Sequence, residues 1–104
     1  GAACGICYLL GGSLDQIGGT IKNMAASITG MICDGAKQGC ALKVSAGVSS
    51  AVYCALLAIE GSYATHTDGI IDEDVEKTVR NIGELATIGM RETDRHILNT
   101  MISK

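Results

Sequence analysis

The chain has 104 residues, 47% of them hydrophobic and 18% charged, with a net charge of −3. This length holds one domain, the apolar content excludes disorder, and the acidic balance excludes a basic face for nucleic acid or anionic lipid. Proline is absent and the aromatics are three tyrosines, so helices run without their commonest breaker and Ile, Leu, Val, Met and Ala are expected to fill the core.

In chain order, a short apolar helix is expected over Ala2–Leu10, stopped by Gly11-Gly12. Ser13 with Gln16 three residues on reads as a capping box. The helix it opens places Leu14, Ile17, Ile21, Met24 and Ile28 on one stripe, and Gly18-Gly19 inside it implies a close neighbour, since each glycine costs about 1 kcal/mol against alanine. Gly30 ends this helix and Met31–Gly39 forms a loop. A long helix follows over Cys40–Glu60, stopped by Gly61 and apolar or small nearly all round, which makes it the central helix. Asp68-Gly69 supplies a turn. Asp72 is expected to cap the next helix, whose stripe is Val75, Val79, Ile82 and Ala86. A break near Gly89 precedes a final helical face of Met90, Ile97, Leu98 and Met101. The expected fold is all-α, a compact domain of about five helices around Cys40–Glu60.

Charge is unevenly spread along this single domain. Residues 1–59 carry five charges (Asp15, Lys22, Asp34, Lys37 and Lys43), and residues 60–104 carry the other fourteen. A free-standing domain needs a more charged surface than the first part offers. A membrane span does not explain this, because the uncharged run Val44–Ile59 is shorter than the ~20 residues a spanning helix needs. No basic stretch precedes the apolar start, so it does not read as a secretory signal. The chain therefore reads as the C-terminal portion of a larger cytoplasmic protein, with 1–59 as its apolar core part and 60–104 as its charged helical part. An apolar face left bare in this way is expected to self-associate as a homo-oligomer.

Five cysteines are present. Their odd number and the lack of a signal argue for a reducing compartment rather than disulfides. Cys54, alone in the long helix, reads as a small core residue, and Cys4-x-x-Cys7 is a weak metal or redox signal. The loop between Cys33 and Cys40 is more specific. Its two glycines let both thiols face one centre, Cys40 sits where a helix begins, and Lys37 adds positive charge that favours thiolate. Backbone N–H groups of such a loop can donate to cluster sulfides or to a carboxylate. Zinc on Cys4, Cys7, Cys33 and Cys40 is the alternative. Lys37 and Lys43 are candidates for binding a substrate carboxylate, and Asp34 and Lys37 are weak catalytic candidates. His66 reads as a surface residue, His96 has no assigned role, and Asn23 reaches either the site or a neighbouring helix.

The stretch Thr29-Gly30-Met31-Ile32-Cys33-Asp34-Gly35-Ala36-Lys37-Gln38-Gly39-Cys40-Ala41-Leu42-Lys43 resembles the signature of the serine dehydratase alpha-chain family, in its L-cysteine desulfidase branch. Gly1–Gly12 and Asp68–Asp94 are similar to the regions flanking it. The resemblance implies an oxygen-sensitive lyase with a [4Fe–4S] cluster on cysteines, Cys33 and Cys40 matching two of its ligands. It implies elimination of the β-substituent of L-serine or L-cysteine, giving pyruvate, ammonia and water or sulfide. A further cysteine ligand is expected outside this chain, so the chain alone is expected to be inactive and to hold no cluster. The expected partners are a small amino acid and the remainder of the parent protein, with no nucleic acid or membrane. The alternative is a non-catalytic helical assembly or zinc-binding module.

Overall fold

The computed structural model describes residues 1–33 and 35–104. Among the described residues five α-helices follow one another: α1 (Ala2–Leu9), α2 (Leu14–Ile28), α3 (Gln38–Ile59), α4 (Val75–Glu84) and α5 (Arg91–Ile102), with a π-helical turn at Leu85–Gly89 between the last two. No strand occurs among the described residues. The all-α expectation holds.

Local signals fix most helix ends. The Ser13 hydroxyl accepts from the Gln16 N–H at 3.2 Å, while the Gln16 side chain accepts from the Ser13 N–H at 2.8 Å, which is the reciprocal capping box read from the sequence. Gly11 (φ +84°) and Gly61 (φ +81°) end α1 and α3 in the left-handed conformation. After α3, the Ser62 N–H bonds to the Leu57 carbonyl and the Gly61 N–H to that of Ala58, at 2.8 and 2.9 Å. This paired closure satisfies carbonyls that a helix C-terminus otherwise orphans. The cap of α4 lies two residues beyond the expected one. Asp74 accepts from the Glu76 N–H at 3.2 Å, while Asp72 accepts from the Asp74 N–H at 3.1 Å and pairs with Lys77 at 2.9 Å. Several acids stand before this helix, and the more distant one makes a turn instead of a cap. The expected break near Gly89 is the π turn itself, in which the Met90 N–H reaches the Leu85 carbonyl at 2.8 Å.

Helices α1, α2 and α3 pack together, and α3 is the one against which both others lie. Burial on α3 is one-sided, however. Ala51, Cys54, Ala55 and Ala58 are buried, whereas Leu42, Val44, Val48, Val52, Tyr53 and Leu56 are exposed. The core departs from the composition-based expectation in the same way. Ala3, Cys7, Thr20, Ala25 and Thr78 fill it together with α3's small residues, and Ile71 is its one large aliphatic among the described residues. Small side chains let backbones approach closely, and the large ones are left on outer faces. Leu14 and Val79, assigned to inward stripes, are exposed, while Ile17, Ile21, Met24, Ile28, Val75 and Ile82 are half-buried.

The close neighbours of Gly18-Gly19 are side chains. A Cβ on Gly19 would collide with the Tyr63 ring, and one on Gly18 would stand 3.3 Å from Val75 Cγ2. Asn23 is buried and binds the neighbouring helix and the chain beyond it. Its Nδ2 donates to the carbonyls of Cys54 (3.2 Å) and Ser62 (3.1 Å), and its Oδ1 accepts from the Ala64 N–H (2.9 Å). The segment leading into α4 is tied to α2 through Lys22, whose Nζ donates to the Glu73 carbonyl at 2.7 Å. The fold extends 49 × 27 × 16 Å, with α5 carrying no buried residue.

Candidate functional site

The Cys33–Cys40 loop enters α3 through two unusual backbone conformations, Gly35 at φ +111° and Ala36 at φ +53°. In this turn the two successive N–H groups are directed at one acceptor and make a small anion-binding nest. Cys33 supplies that acceptor. Backbone N–H groups of Gly35 and Ala36 hydrogen-bond its sulfur, the Cys40 side chain is within hydrogen-bonding reach, and the Lys43 charge lies nearby. Together these hold the Cys33 thiol below the ordinary thiol range, because each stabilises the thiolate more than the thiol. Cys33 is exposed, so this sulfur faces solvent.

Cys40 is the third residue of α3 and is half-buried. Its backbone N–H bonds to the Lys37 carbonyl at 2.9 Å, which fixes the sulfur at the helix N-terminus where the dipole favours negative charge. Lys43, one turn on, places Nζ 3.9 Å from the Cys40 sulfur. Lys37 is the exposed N-cap of α3 and makes no capping bond through its side chain. The expectation for Asp34 lies outside the described residues.

The loop therefore gathers Cys33, Cys40 and Lys43 on one side of the α3 N-terminus. Its donor set is two converging soft sulfurs, one of them with two backbone N–H groups directed at it, and this fits a thiophilic metal or an iron–sulfur cluster. Two thiolates do not complete a cube, and among the described residues no three His, Cys, Asp or Glu side chains are grouped to hold a metal. The four-thiolate zinc set is thus not assembled. Cys7 is buried against Gly12, where a Cβ would strike its sulfur, and Cys4 lines an apolar groove of about 510 Å³ with Ile21, Met24, Ile28, Val44 and Val48. Cys54 is a core residue 3.6 Å from the Ser27 hydroxyl. His66 is on the surface and pairs with Glu73 at 3.3 Å. By length and composition alone α3 qualifies as a membrane span, which a core helix also does. Lys43 interrupts its apolar run, and its Ala51–Ala58 strip is packed against α1 and α2.

The loop is also touched by a residue that the sequence did not single out for the site. Met101 of α5 lies against Gly35, a contact between positions too distant for spacing to reveal.

The family model described as serine dehydratase alpha chain matches residues 1–99. UPF0597 proteins of Porphyromonas gingivalis and Clostridium perfringens are 52% and 51% identical to the chain over all 104 residues, and one from Clostridium tetani is 49% identical. The chain spans about a quarter (24–25%) of the length of these relatives, whose names state no activity. No solved structure matches it.

Proposed function

The chain belongs to the serine dehydratase alpha chain family, and from that premise we propose that it is the part of a cytoplasmic lyase that contributes Cys33 and Cys40 to a [4Fe–4S] cluster. The observation that carries this reading is the convergence of the two thiols over the Gly35–Ala36 nest. No disulfide joins any cysteines among the described residues, in keeping with a reducing compartment. The remaining ligands come from the rest of the longer polypeptide. When bound, such a cluster supplies a Lewis-acidic iron for the leaving group of an amino-acid substrate.

The chain's own residues then have separate tasks. Cys33 and Cys40 hold the metal as thiolates, and the nest N–H groups neutralise part of their charge. Lys43 beside Cys40, and Lys37 at the helix start, offer ammonium groups to the carboxylate of L-serine or L-cysteine. Overall, the substrate loses its α-proton and its β-hydroxide or hydrosulfide. The resulting aminoacrylate takes up water and releases pyruvate and ammonia. The resemblance of Thr29–Lys43 to the L-cysteine desulfidase branch supports L-cysteine as the substrate to test first.

The test is anaerobic turnover by the full-length protein. Pyruvate and sulfide should form in equal amounts from L-cysteine, and Cys33→Ala and Cys40→Ala should each abolish both. Equal turnover by these variants and the parent would overturn the reading.

A further inference from the structure

Helix α5 meets the cysteine loop through Met101. A Cβ on Gly35 would stand 2.5 Å from Met101 Cε and 3.4 Å from its Sδ, so the thioether lies directly on the bare face of this glycine. Gly35 and Ala36 both hold positive φ, and for Ala36 that conformation is strained and persists only where its surroundings hold it. No residue of α5 is buried, and its course is set by the π turn through the Met90–Leu85 bond.

We propose that Met101 is a positioning residue that clamps the Gly35–Ala36 nest beneath Cys33. The flexible thioether fills the space a side chain at Gly35 would occupy and leaves Gly35 half-buried. With the clamp in place, the nest N–H groups remain directed at the Cys33 sulfur. Without it, Ala36 relaxes toward negative φ and the loop opens. The clamp depends on loop geometry alone; its bearing on a cluster rests on the function proposed above.

Limited trypsin digestion of the full-length protein tests this, because exposed Lys37 directly follows Ala36 and cleavage there reports loop opening. Met101→Ala and Met101→Gln should each speed cleavage after Lys37 by about fivefold or more, while Met101→Leu, which keeps the bulk, should match the parent. Leu98→Ala, on the same helix with Leu98 53% exposed, should leave the rate unchanged. Parent-like cleavage of Met101→Ala, or equal acceleration by Leu98→Ala, would overturn the clamp. As a second reading, the anaerobically reconstituted Met101→Ala protein should take up the parent's iron but bleach faster in air. A parent protein that took up no iron would refute the cluster and leave the digestion result standing, so the two failures are distinguishable.

Discussion

Asn23 ties three pieces of chain together, and its removal has a calculable effect. The side chain donates to the Cys54 and Ser62 carbonyls and accepts from the Ala64 N–H, and it is 9% exposed. Asn23→Ala deletes all three hydrogen bonds and leaves their partners in a site with little water. At about 1 kcal/mol net per bond, the expected loss is about 2–3 kcal/mol. Native-state hydrogen exchange on the full-length protein reads this locally, because the Ala64 amide is protected by the Asn23 Oδ1 bond. If its exchange proceeds through the opening this bond resists, it should accelerate about 30- to 150-fold, a tenfold change corresponding to 1.4 kcal/mol. Asn23→Asp separates hydrogen bonding from shape. It keeps an acceptor for Ala64 but turns an oxygen toward two carbonyls, so at neutral pH it should protect Ala64 less than the parent does. Parent-like exchange at Ala64 in both variants would refute the lock.

Gly19→Ala drives a Cβ into the Tyr63 ring and should cost about 1–3 kcal/mol, seen as a lower melting temperature; an unchanged melt would place Tyr63 elsewhere. The Asp72 carboxyl is held below the ordinary carboxylate range, first by the hydrogen bond from Lys77 and then by the Asp74 N–H. A carboxyl depressed in the folded state adds stability above its unfolded-state pKa and loses it as pH falls through the folded value. Lys77→Ala should raise the Asp72 titration midpoint by NMR and weaken that acid-side dependence. The isolated 104-residue chain, with Leu42, Val48, Val52 and Leu56 of α3 exposed, should self-associate in sedimentation at micromolar concentration, and a clean monomer would contradict the unfilled-face argument.

Helix ends were the most legible feature of the sequence, because their causes are local. Ser13 with Gln16, Gly11 and Gly61 each act within a few residues, and each ends or starts a helix where expected. Asp72 failed as a cap for an equally local reason, since Asp74 offered the same chemistry two residues later. Burial was less legible. Hydropathy says which residues tolerate burial but not how many partners the chain provides, so Leu14 and Val79 lie outside while Thr20 and Thr78 are fully buried. For Asn23, spacing left the site and a neighbouring helix equally open, and three hydrogen bonds with α3 and the segment after it decide the matter. At the site, the glycines and the Cys33–Cys40 spacing pointed to thiols facing one centre, and the Cys33 sulfur lies within hydrogen-bonding reach of the Cys40 side chain. Met101 was invisible because contact between α5 and the loop depends on the π turn's path, which no short motif encodes.

The central claim is that Cys33 and Cys40 are cluster ligands, and iron and sulfide content with the visible spectrum after anaerobic reconstitution tests it most directly. The full-length parent should gain iron, acid-labile sulfide and a brown chromophore, whereas Cys33→Ala and Cys40→Ala should gain none of these. Cys4→Ala should behave as the parent, and the isolated 104-residue chain should remain colourless. Full iron loading of Cys33→Ala or Cys40→Ala, or a colourless parent holding zinc that Cys4→Ala releases, would contradict the account.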